Sequence, residues 1–406
     1  MRKLSALPWI LALAAMAIHA HGALASWLYA SDGNQVVRVD SATGAILGVV
    51  VANGPAIHYP GQIVFDRNGT LLVASGNQIV RVDPLAGTVL GTLVAPGSGG
   101  LVSPQHLAFG PDGNLLVLDY PSSRNWIVRR YDATTGSSLG SFPVIESGFL
   151  WGPVLGPDGN LYLSDHELGA VRRLNGATGA PTGLLVPAGS APGAYALAFA
   201  ADGSLYVSCY PPPSGPPILK VFDGTSGLLL RQISPTGLAR ADSLLVSPDG
   251  TIFLTTPDTR PGGIQRLSRS GALSQLVPSS SLPVVYSLAA ACNPDVNQVC
   301  LLDGRFRAQV DWQTTSGQIG PGRPIWYSDD TDEFWFFGPD NLEMLTKMVD
   351  GCGLNQRFWL FAGGLTNVAV TLTVTDTHTG GKRVYHNPQG TAFRPVQDTS
   401  AFGGCP

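Results

Sequence analysis

Charged residues are scarce in this chain, and long apolar runs are scarcer. Asp, Glu, Lys and Arg make up 13% of the 406 residues, which argues against a long-helix protein and against a disordered one. Beyond the first 25 residues, no apolar run approaches the length of a membrane span. The chain is rich instead in Gly (50) and Pro (32), beside 44% hydrophobic residues. This composition predicts many short β-strands joined by tight turns.

The first 25 residues have the three parts of a secretion signal. Arg2 and Lys3 give a positive start, an apolar run extends from Leu4 to Ile18, and Ala23-Leu24-Ala25 supplies a small-residue cleavage pattern. The apolar run is short for a membrane span and contains Pro8. We therefore expect cleavage near Ala25 and a mature protein in the periplasm or outside the cell.

The charge balance limits the class of partner. Without Arg2 and Lys3, 22 basic and 28 acidic side chains remain, for a net charge of -6. Binding of nucleic acid or anionic lipid requires clustered Lys and Arg to neutralise phosphates. We therefore expect a protein, glycan or small-molecule ligand and no nucleic acid, and we expect the chain to be a monomer.

A hairpin pattern recurs along the first two thirds of the chain. An Asn-Gly or Asp-Gly pair stands between two short apolar runs, at spacings of 44 to 47 residues. These pairs tolerate the positive φ angles of tight hairpins, so each copy predicts two antiparallel strands. The five copies are Asn68-Gly69, Asp112-Gly113, Asp158-Gly159, Asp202-Gly203 and Asp249-Gly250.

A second turn signature lies further into each repeat. In the first copy Arg38-Val39-Asp40 is followed by Gly44, so that the Asp can bond the following backbone and the Gly can take the left-handed conformation. Two hairpins per period make a four-stranded sheet, which is the blade of a β-propeller. Six copies predict six blades, with the others starting at Arg81, Arg130, Arg173, Val221 and Arg266.

The two ends of this repeat region are incomplete in complementary ways. Trp27–Ala30 aligns with a second strand that has no first strand before it, and Pro283–Ala290 resembles a first strand with nothing after it. Pairing of these segments would close the ring and remove its exposed edges. The predicted fold is all-β: a six-bladed propeller over residues 26–291, closed by its two ends, and a small disulfide-bonded antiparallel β-sandwich over residues 292–406.

The repeats resemble those of NHL-type and gluconolactonase-like six-bladed propellers, most closely in the stretch Gly156–Asp165. The resemblance covers residues 27–291 and implies a fold without an activity. In this superfamily, gluconolactonase-like hydrolases and virginiamycin B lyases hold a divalent metal in the channel with Glu, Asp, Asn or His. Glu146 and Glu167, the two Glu of the repeat region, match neither metal motif.

Such a fold implies a ligand-binding face around its central channel. The loops between second and third strands share this face with the loops that precede each first strand. The candidate ligand-binding residues at these places are Asp32, Gln62, Ser75, His106, Asp119, Trp151, Asp165, Tyr195, Asp242 and Thr256.

These residues are compatible with two interpretations. Asp32, Asp119, Asp165 and Asp242 could hold a divalent cation such as calcium and, with His106 as the candidate acid-base residue, serve a hydrolase or lyase. Alternatively, an Asp at a strand end accepts hydrogen bonds from the next turn as a feature of the repeat. The leading hypothesis is then a non-catalytic propeller that binds a ligand or protein on the channel face, and we assign it no cofactor.

Four of the five cysteines lie at the C-terminal end of the chain: Cys292, Cys300, Cys352 and Cys405. In an exported protein they imply two disulfides, for which three pairings exist. We favour Cys292 with Cys300 and Cys352 with Cys405, because the second bond would tie down the last residues. The fifth, Cys209, is expected to be a buried thiol.

The same C-terminal region alternates apolar and polar residues at the strand period. It resembles a cysteine-containing β module of bacterial secreted proteins, to which no activity attaches, through Phe334–Asn341, Asp350–Cys352 and Phe361–Val368. Its aromatic runs would form either the core of a sandwich or a carbohydrate-binding platform. The acidic turn at residues 329–333 is expected to be exposed and not to bind calcium.

Overall fold

The computed structural model describes residues 27–405, except residues 123, 143–144, 147, 201, 212–214, 239, 248, 257–261 and 293–296. The expected secretion signal lies outside the described residues. The described regular structure is β apart from a 3-10 turn, Ser98–Gly100, and one α-helical turn, α1 (Cys352–Asn355). Among the described helices, none has the length and apolarity that crossing a membrane requires.

The repeat region consists of antiparallel sheets formed by consecutive strands. The first sheet contains β1 (Trp27–Ser31), β2 (Gln35–Asp40) and β3 (Ile46–Ala52), the second β4 (Pro60–Phe65), β5 (Leu71–Ser75), β6 (Gln78–Val82) and β7 (Val89–Val94), and the third β8 (Pro104–Phe109), β9 (Leu115–Ser122), β10 (Asn125–Tyr131), β11 (Ser138–Ser141) and the short β12 (Ile145–Glu146).

The next sheets repeat the same order. The fourth contains β13 (Leu150–Leu155), β14 (Leu161–Asp165), β15 (Ala170–Leu174) and β16 (Pro181–Val186), the fifth β17 (Ala194–Phe199), β18 (Ser204–Cys209), β19 (Ile218–Asp223) and β20 (Leu229–Ile233), and the sixth β21 (Ser243–Val246), β22 (Ile252–Thr256), β23 (Gly263–Leu267) and β24 (Leu273–Pro278). The last strand of the region, β25 (Ser287–Ala290), pairs antiparallel with β1, with Ala290 opposite Leu28.

Both turn signatures form the predicted hairpins. In the first kind, Gly69 has a φ of 87° and the Asp66 carboxylate accepts from the backbone N–H groups of Asn68 and Thr70 at 2.8 and 2.9 Å. In the second kind, the Asp40 carboxylate accepts from the N–H groups of Ala42 and Thr43 at 3.0 and 2.7 Å. The Asp thus orders each turn, and Gly supplies the left-handed residue.

The second turn also joins neighbouring sheets. A Cβ on Gly44 would lie 1.9 Å from the carbonyl oxygen of Leu276 in β24, so this position requires Gly for space as well as for its φ of 76°. Equivalent approaches to the preceding sheet occur at Gly87, Gly136 and Gly227. The turn of the first sheet therefore lies against the sixth sheet.

The innermost strands contact one another in a cycle. β4 contacts β8, β8 contacts β13, β13 contacts β17, β17 contacts β21, β21 contacts β25, and β25 contacts β4. Buried apolar clusters fill the spaces between consecutive sheets, and one of them joins Leu28 and Val39 of the first sheet to Phe253 and Ile264 of the sixth. Burial of this apolar surface is the main stabilising term of the repeat region.

The C-terminal module, β26 to β35, forms two further antiparallel sheets around one core. The strands are β26 (Gln298–Leu301), β27 (Phe306–Gln313), β28 (Ile319–Pro321), β29 (Arg323–Trp326), β30 (Thr331–Trp335), β31 (Met344–Asp350), β32 (Phe358–Gly364), β33 (Ala369–Asp376), β34 (Lys382–Asn387) and β35 (Val396–Phe402). The sheet orders are 26-27-33-34, with β28 on β27, and 29-30-31-32-35. Phe306, Phe334 and Phe358 are fully buried between the sheets.

Both favoured disulfides are present. Cys292 is bonded to Cys300, and Cys352 is bonded to Cys405. Cys209 is a buried free thiol, and burial raises its pKa to about 12, so it is not a nucleophile at neutral pH. Two disulfides indicate that the chain folds in an oxidising environment.

The module packs against the end of the repeat region at which the inner strands finish. Arg67, in the turn after β4, forms an ion pair with Asp311 at 2.5 Å, and its carbonyl oxygen accepts from Gln309 Nε2 at 3.2 Å. Nearby, Trp27 stacks on His378 with ring centroids 4.2 Å apart. The two parts of the chain therefore share a specific polar and aromatic contact.

The two disulfides close loops of very different length, which gives a test of the fold. The sequence separations are 8 and 53 residues. Loop entropy then predicts that the double substitution Cys352→Ser/Cys405→Ser lowers the free energy of unfolding by about 4 kcal/mol, and Cys292→Ser/Cys300→Ser by about 2.5 kcal/mol. Denaturant unfolding followed by tryptophan fluorescence measures both values. A larger loss of stability in Cys292→Ser/Cys300→Ser than in Cys352→Ser/Cys405→Ser would show that native contacts, and not loop closure, determine how much each disulfide stabilises the fold.

Candidate ligand-binding channel

A cavity of about 600 Å³ lies between the inner strands. Its wall is formed mainly by small and aliphatic residues of these strands, among them Val64, Leu107, Ala198 and Leu245. The volume is within the usual range for small-molecule sites, roughly 300 to 1,000 Å³. We call this cavity the channel.

Polar and aromatic residues line the end of the channel at which the inner strands begin. Four of the predicted site residues meet here: Gln62, His106, Trp151 and Asp242. Gln62 Nε2 donates to the carbonyl oxygen of Tyr286 at 3.2 Å, and Trp151 Nε1 donates to that of Asp242 at 2.6 Å. These bonds hold side chains of different sheets in place around this end of the channel, which we call the mouth.

Aromatic rings form a continuous cluster at this mouth. Trp151 contacts Phe149, His106 and Tyr195 with ring centroids 5.3, 4.5 and 5.7 Å apart. His166 packs on Tyr195 at 4.7 Å, from the opposite side of the cluster. Trp151, Phe149 and Tyr195 are half-buried, so part of each ring remains accessible to a ligand.

Arg240 adds a cation to this cluster. Its guanidinium lies 4.9 Å from the Tyr195 ring centroid, within the range of a cation–π interaction. It also donates to both carboxylate oxygens of Asp242 at 3.0 and 3.3 Å. The pair leaves the mouth with little net charge.

The four candidate carboxylates each have local partners. Asp119 is fully buried, accepts from Arg129 Nε at 2.6 Å and from the N–H of Ser103 at 2.6 Å. Asp165 accepts from Arg172 Nε at 2.7 Å. The other two bond within a few residues of themselves: Asp242 with Arg240, and Asp32 with the N–H groups of Asn34 and Gln35, each at 2.8 Å.

The partners in these contacts lie within the repeat units, and the four carboxylates do not converge on a shared ligand. The partners are turn amides and Arg side chains, and the resulting ion pairs neutralise three of the carboxylates. Within the described part of the chain, no group of three or more His, Cys, Asp or Glu side chains is placed to hold a metal ion. The arrangement favours a structural role for these Asp residues.

His106 is buried in the wall of the channel, with 7% of its surface exposed. Burial lowers its pKa from 6.5 to about 3, so the imidazole is neutral at physiological pH. A base with so low a pKa accepts a proton weakly. The ring therefore contributes to the mouth chiefly as a neutral aromatic surface and hydrogen-bonding group.

The remaining predicted residues whose side chains are described do not line the channel. Ser75 is buried and accepts from the N–H of His58 at 2.8 Å, and Tyr195 lies in the aromatic cluster beside the mouth. Thr256 ends β22, and its side chain lies outside the described residues. Apart from Tyr195 and Thr256, the predicted site residues thus form two groups: one that lines the channel and one whose side chains bond within their own repeats.

The aromatic runs of the module contribute alternate residues to its core. Phe334, Phe336, Phe358 and Leu360 are buried, and Phe337 is 51% exposed. In the acidic turn, Asp330 accepts from Lys347 Nζ at 2.5 Å, and Asp329 accepts from the N–H of Asp303 at 2.8 Å. The expectation that this turn is exposed is wrong: Asp332 is fully buried, and Asp329, Asp330 and Glu333 are partly buried, because the turn packs between the module and the channel. Core packing and local bonds account for most of the other side chains.

Several residues at the channel were not identified from the sequence. Phe149 and His166 each lie within two residues of a predicted site residue, so a wider reading of the same loops would have included them. By contrast, Gln298, Arg323 and Trp335 of the module also line the channel. Their sequence carries no repeat signal that could place them there.

Comparisons with known proteins identify the fold. A protein of unknown function from Bacteroides caccae matches with a TM-score of 0.51 at 14% identity, over 66% of this chain and 98% of its own. A chain of a nidogen/laminin complex matches with a TM-score of 0.52 at 14% identity, over the same shares. A gluconolactonase from Xanthomonas campestris matches with a TM-score of 0.44 at 15% identity, over 61% of this chain and 82% of its own.

At such identities the similarity shows a shared fold and no activity. Together with the repeated four-stranded sheets, it confirms the predicted resemblance at the level of the β-propeller fold. No protein-family model matches the chain, and no curated protein matches its sequence.

The pKa of His106 provides the first test of the mouth. A His with pKa 6.5 in the unfolded chain and about 3 when folded adds stability above pH 6.5 that is lost progressively as the pH falls toward 3. NMR titration should find the imidazole of His106 neutral at pH 5. Between pH 6.5 and pH 4, His106→Gln should lose less stability than the wild type. The exposed His386→Gln is the control, and a His106 titration near pH 6 would contradict the burial argument.

The second test separates structural carboxylates from metal ligands. Asp119→Ala leaves Arg129 buried without its partner, so we expect the free energy of unfolding to fall by about 3 kcal/mol. Asp32→Ala removes bonds in a partly exposed turn and should cost about 1 kcal/mol. Equilibrium unfolding with and without calcium measures both. Calcium-dependent stability in the wild type that Asp119→Ala abolishes would identify Asp119 as a cation ligand.

Proposed function

We propose that the chain is an exported, non-catalytic binding protein whose ligand enters the channel at the aromatic mouth. The proposal includes a signal segment at residues 1–25, a closed six-bladed propeller over residues 26–291 and a sandwich over residues 292–406. The cycle of inner-strand contacts, the pairing of β25 with β1 and the core shared by the first and sixth sheets support the closed ring. The two disulfides support export.

The observation that carries the function is the half-buried aromatic cluster at the mouth of a pocket-sized cavity. Trp151 lines the cavity and contacts three other rings. Aromatic rings present a large apolar area at a small cost in side-chain entropy, and they are the usual anchors of binding sites. Asp242, Gln62 and Ser243 add polar groups beside the rings, as ligand sites require for orientation.

The acid-base groups at the mouth and in the repeats around it support binding without catalysis. Asp119, Asp165 and Asp242 are paired with Arg side chains, and the pKa of His106 is too low for efficient proton transfer at neutral pH. A metal-dependent hydrolase or lyase would need unpaired carboxylates or His residues that converge. We therefore assign the channel to recognition.

The experiment compares the mouth with a matched site elsewhere. Purified full-length protein is titrated against a panel of neutral saccharides, aromatic acids and short peptides, with tryptophan fluorescence and calorimetry as readouts. Trp151→Ala should weaken binding of any ligand found by tenfold or more, as expected for a central aromatic anchor. Trp359→Ala, a half-buried Trp of the module that donates to Asn355 Oδ1, should leave the affinity unchanged.

Two results would overturn the proposal. The first is equal affinity of the wild type and Trp151→Ala for every ligand that binds. The second is turnover of a bound lactone or ester that is lost after treatment with a chelator and restored by calcium or magnesium.

A further inference from the structure

The channel extends beyond the propeller into the C-terminal module. Its lining includes residues of all six inner strands and, in addition, Gln298 of β26, Arg323 of β29 and Trp335 of β30. These strands belong to the two sheets of the module, and β26 contacts both β29 and β30. The cavity is therefore bounded by two parts of the chain that are separate in sequence.

The module lies at the end of the channel opposite the mouth. In β4, Gln62 is at the mouth and Phe65 is at the far end of the strand, where the turn begins that contacts Asp311 and Gln309 of the module. The inner strands thus run from the mouth toward β26, β29 and β30. The three steps from Gln62 to Phe65 span roughly 10 Å at 3.3 Å per residue.

We call Gln298, Arg323 and Trp335, which close the channel at the module, the floor. Several contacts fix the position of the floor. The Cys292–Cys300 disulfide joins the segment directly after β25 to β26. Arg323 Nη1 donates to Asn297 Oδ1 at 3.2 Å, and Gln309 Nε2 donates to Gln298 Oε1 at 3.2 Å. The groups that face the channel from the module are therefore held by a covalent bond and by a hydrogen-bonded network.

The chemistry of the lining favours a ring-shaped molecule rich in hydroxyl groups. An indole stands at each end, Trp151 at the mouth and Trp335 at the floor. Between them, each inner strand is the edge of its sheet, so the wall presents backbone amide and carbonyl groups as well as small side chains. Charges of both signs balance at each end, with the Arg240–Asp242 pair beside the mouth and both Arg323 and Asp332 in the lining of the module. Stacking surfaces, many hydrogen-bonding groups and balanced charge suit a neutral saccharide.

We propose that the channel is a blind, composite pocket for a neutral oligosaccharide, and that the module supplies its floor through Gln298, Arg323 and Trp335. This inference rests on the proposed function, because the ligand enters at the aromatic mouth. Mouth and floor are further apart than one sugar ring spans. The floor therefore contributes to binding of an oligosaccharide and not to binding of its monosaccharide.

Calorimetry on the full-length protein tests this with maltotetraose, cellotetraose and chitotetraose, and with the corresponding monosaccharides. We expect at least one tetrasaccharide to bind, with affinity reduced tenfold or more in Trp335→Ala and in Gln298→Ala. Both variants should retain the weaker monosaccharide affinity of the wild type, which a merely misfolded protein would not. Trp359→Ala, in the same module but not at the channel, is the matched control.

A substitution within the wall tests passage along the channel. Ala198 lines the cavity one residue before the floor end of β17, so Ala198→Trp should block access to the floor. This variant should bind the tetrasaccharide no more tightly than the monosaccharide. Circular dichroism and the thermal midpoint verify that each variant is folded.

The outcomes distinguish this inference from the proposed function. If Trp151→Ala weakens binding while the floor variants and Ala198→Trp do not, the composite floor is wrong and the mouth remains the site. If other ligands of the panel bind and no tetrasaccharide does, the saccharide assignment is wrong. If a tetrasaccharide binds and neither the mouth nor the floor variants change its affinity, both proposals fail.

Discussion

The first sheet and the wall of the channel both depend on the short pairing between β25 and β1. It joins Ser287–Ala290 to Trp27–Ser31, supplies the first sheet with its inner strand, and completes the cycle of contacts around the channel. Leu288 and Ala290 also enter the apolar cluster shared with the sixth sheet. Without this pairing the channel would lack one side of its wall, and two sheet edges would be open to association with other chains.

The carboxylates predicted around the channel have bonding partners within their own repeats. Asp119 accepts from the backbone N–H of Ser103, before β8, and Asp165 accepts from that of Leu168, in the turn that follows it. An Arg of the adjacent third strand neutralises each carboxylate, as in the Asp119–Arg129 and Asp165–Arg172 pairs. The mouth that remains is aromatic and close to neutral. Its polar groups Gln62 and Trp151 bond to carbonyl oxygens at other sheets, so the residues that line the mouth also hold the sheets together.

The sequence was sufficient to predict the features that local contacts determine. The turns at Gly69 and Gly44, the strand alternation from Phe306 to Trp312 and the two disulfides depend on nearby residues or on few alternatives. The channel depends on contacts between distant segments. That Trp151 would pack on His106, that its indole would bond the carbonyl oxygen of Asp242, and that Trp335 would line the channel follow from packing between sheets, which has no periodic signature in the sequence.

The turn glycines make one end of the repeat region less tolerant of substitution than the other. At Gly44, Gly87, Gly136 and Gly227, any side chain would collide with the backbone of the preceding sheet, so these turns do not tolerate substitution. In the loop that carries Phe149, by contrast, a Cβ on Gly148 would meet only the carboxylate end of the Glu167 side chain, which can move aside. Changes of sequence can therefore accumulate in this loop, at one end of the channel, while the contacts between sheets at the four turns are kept.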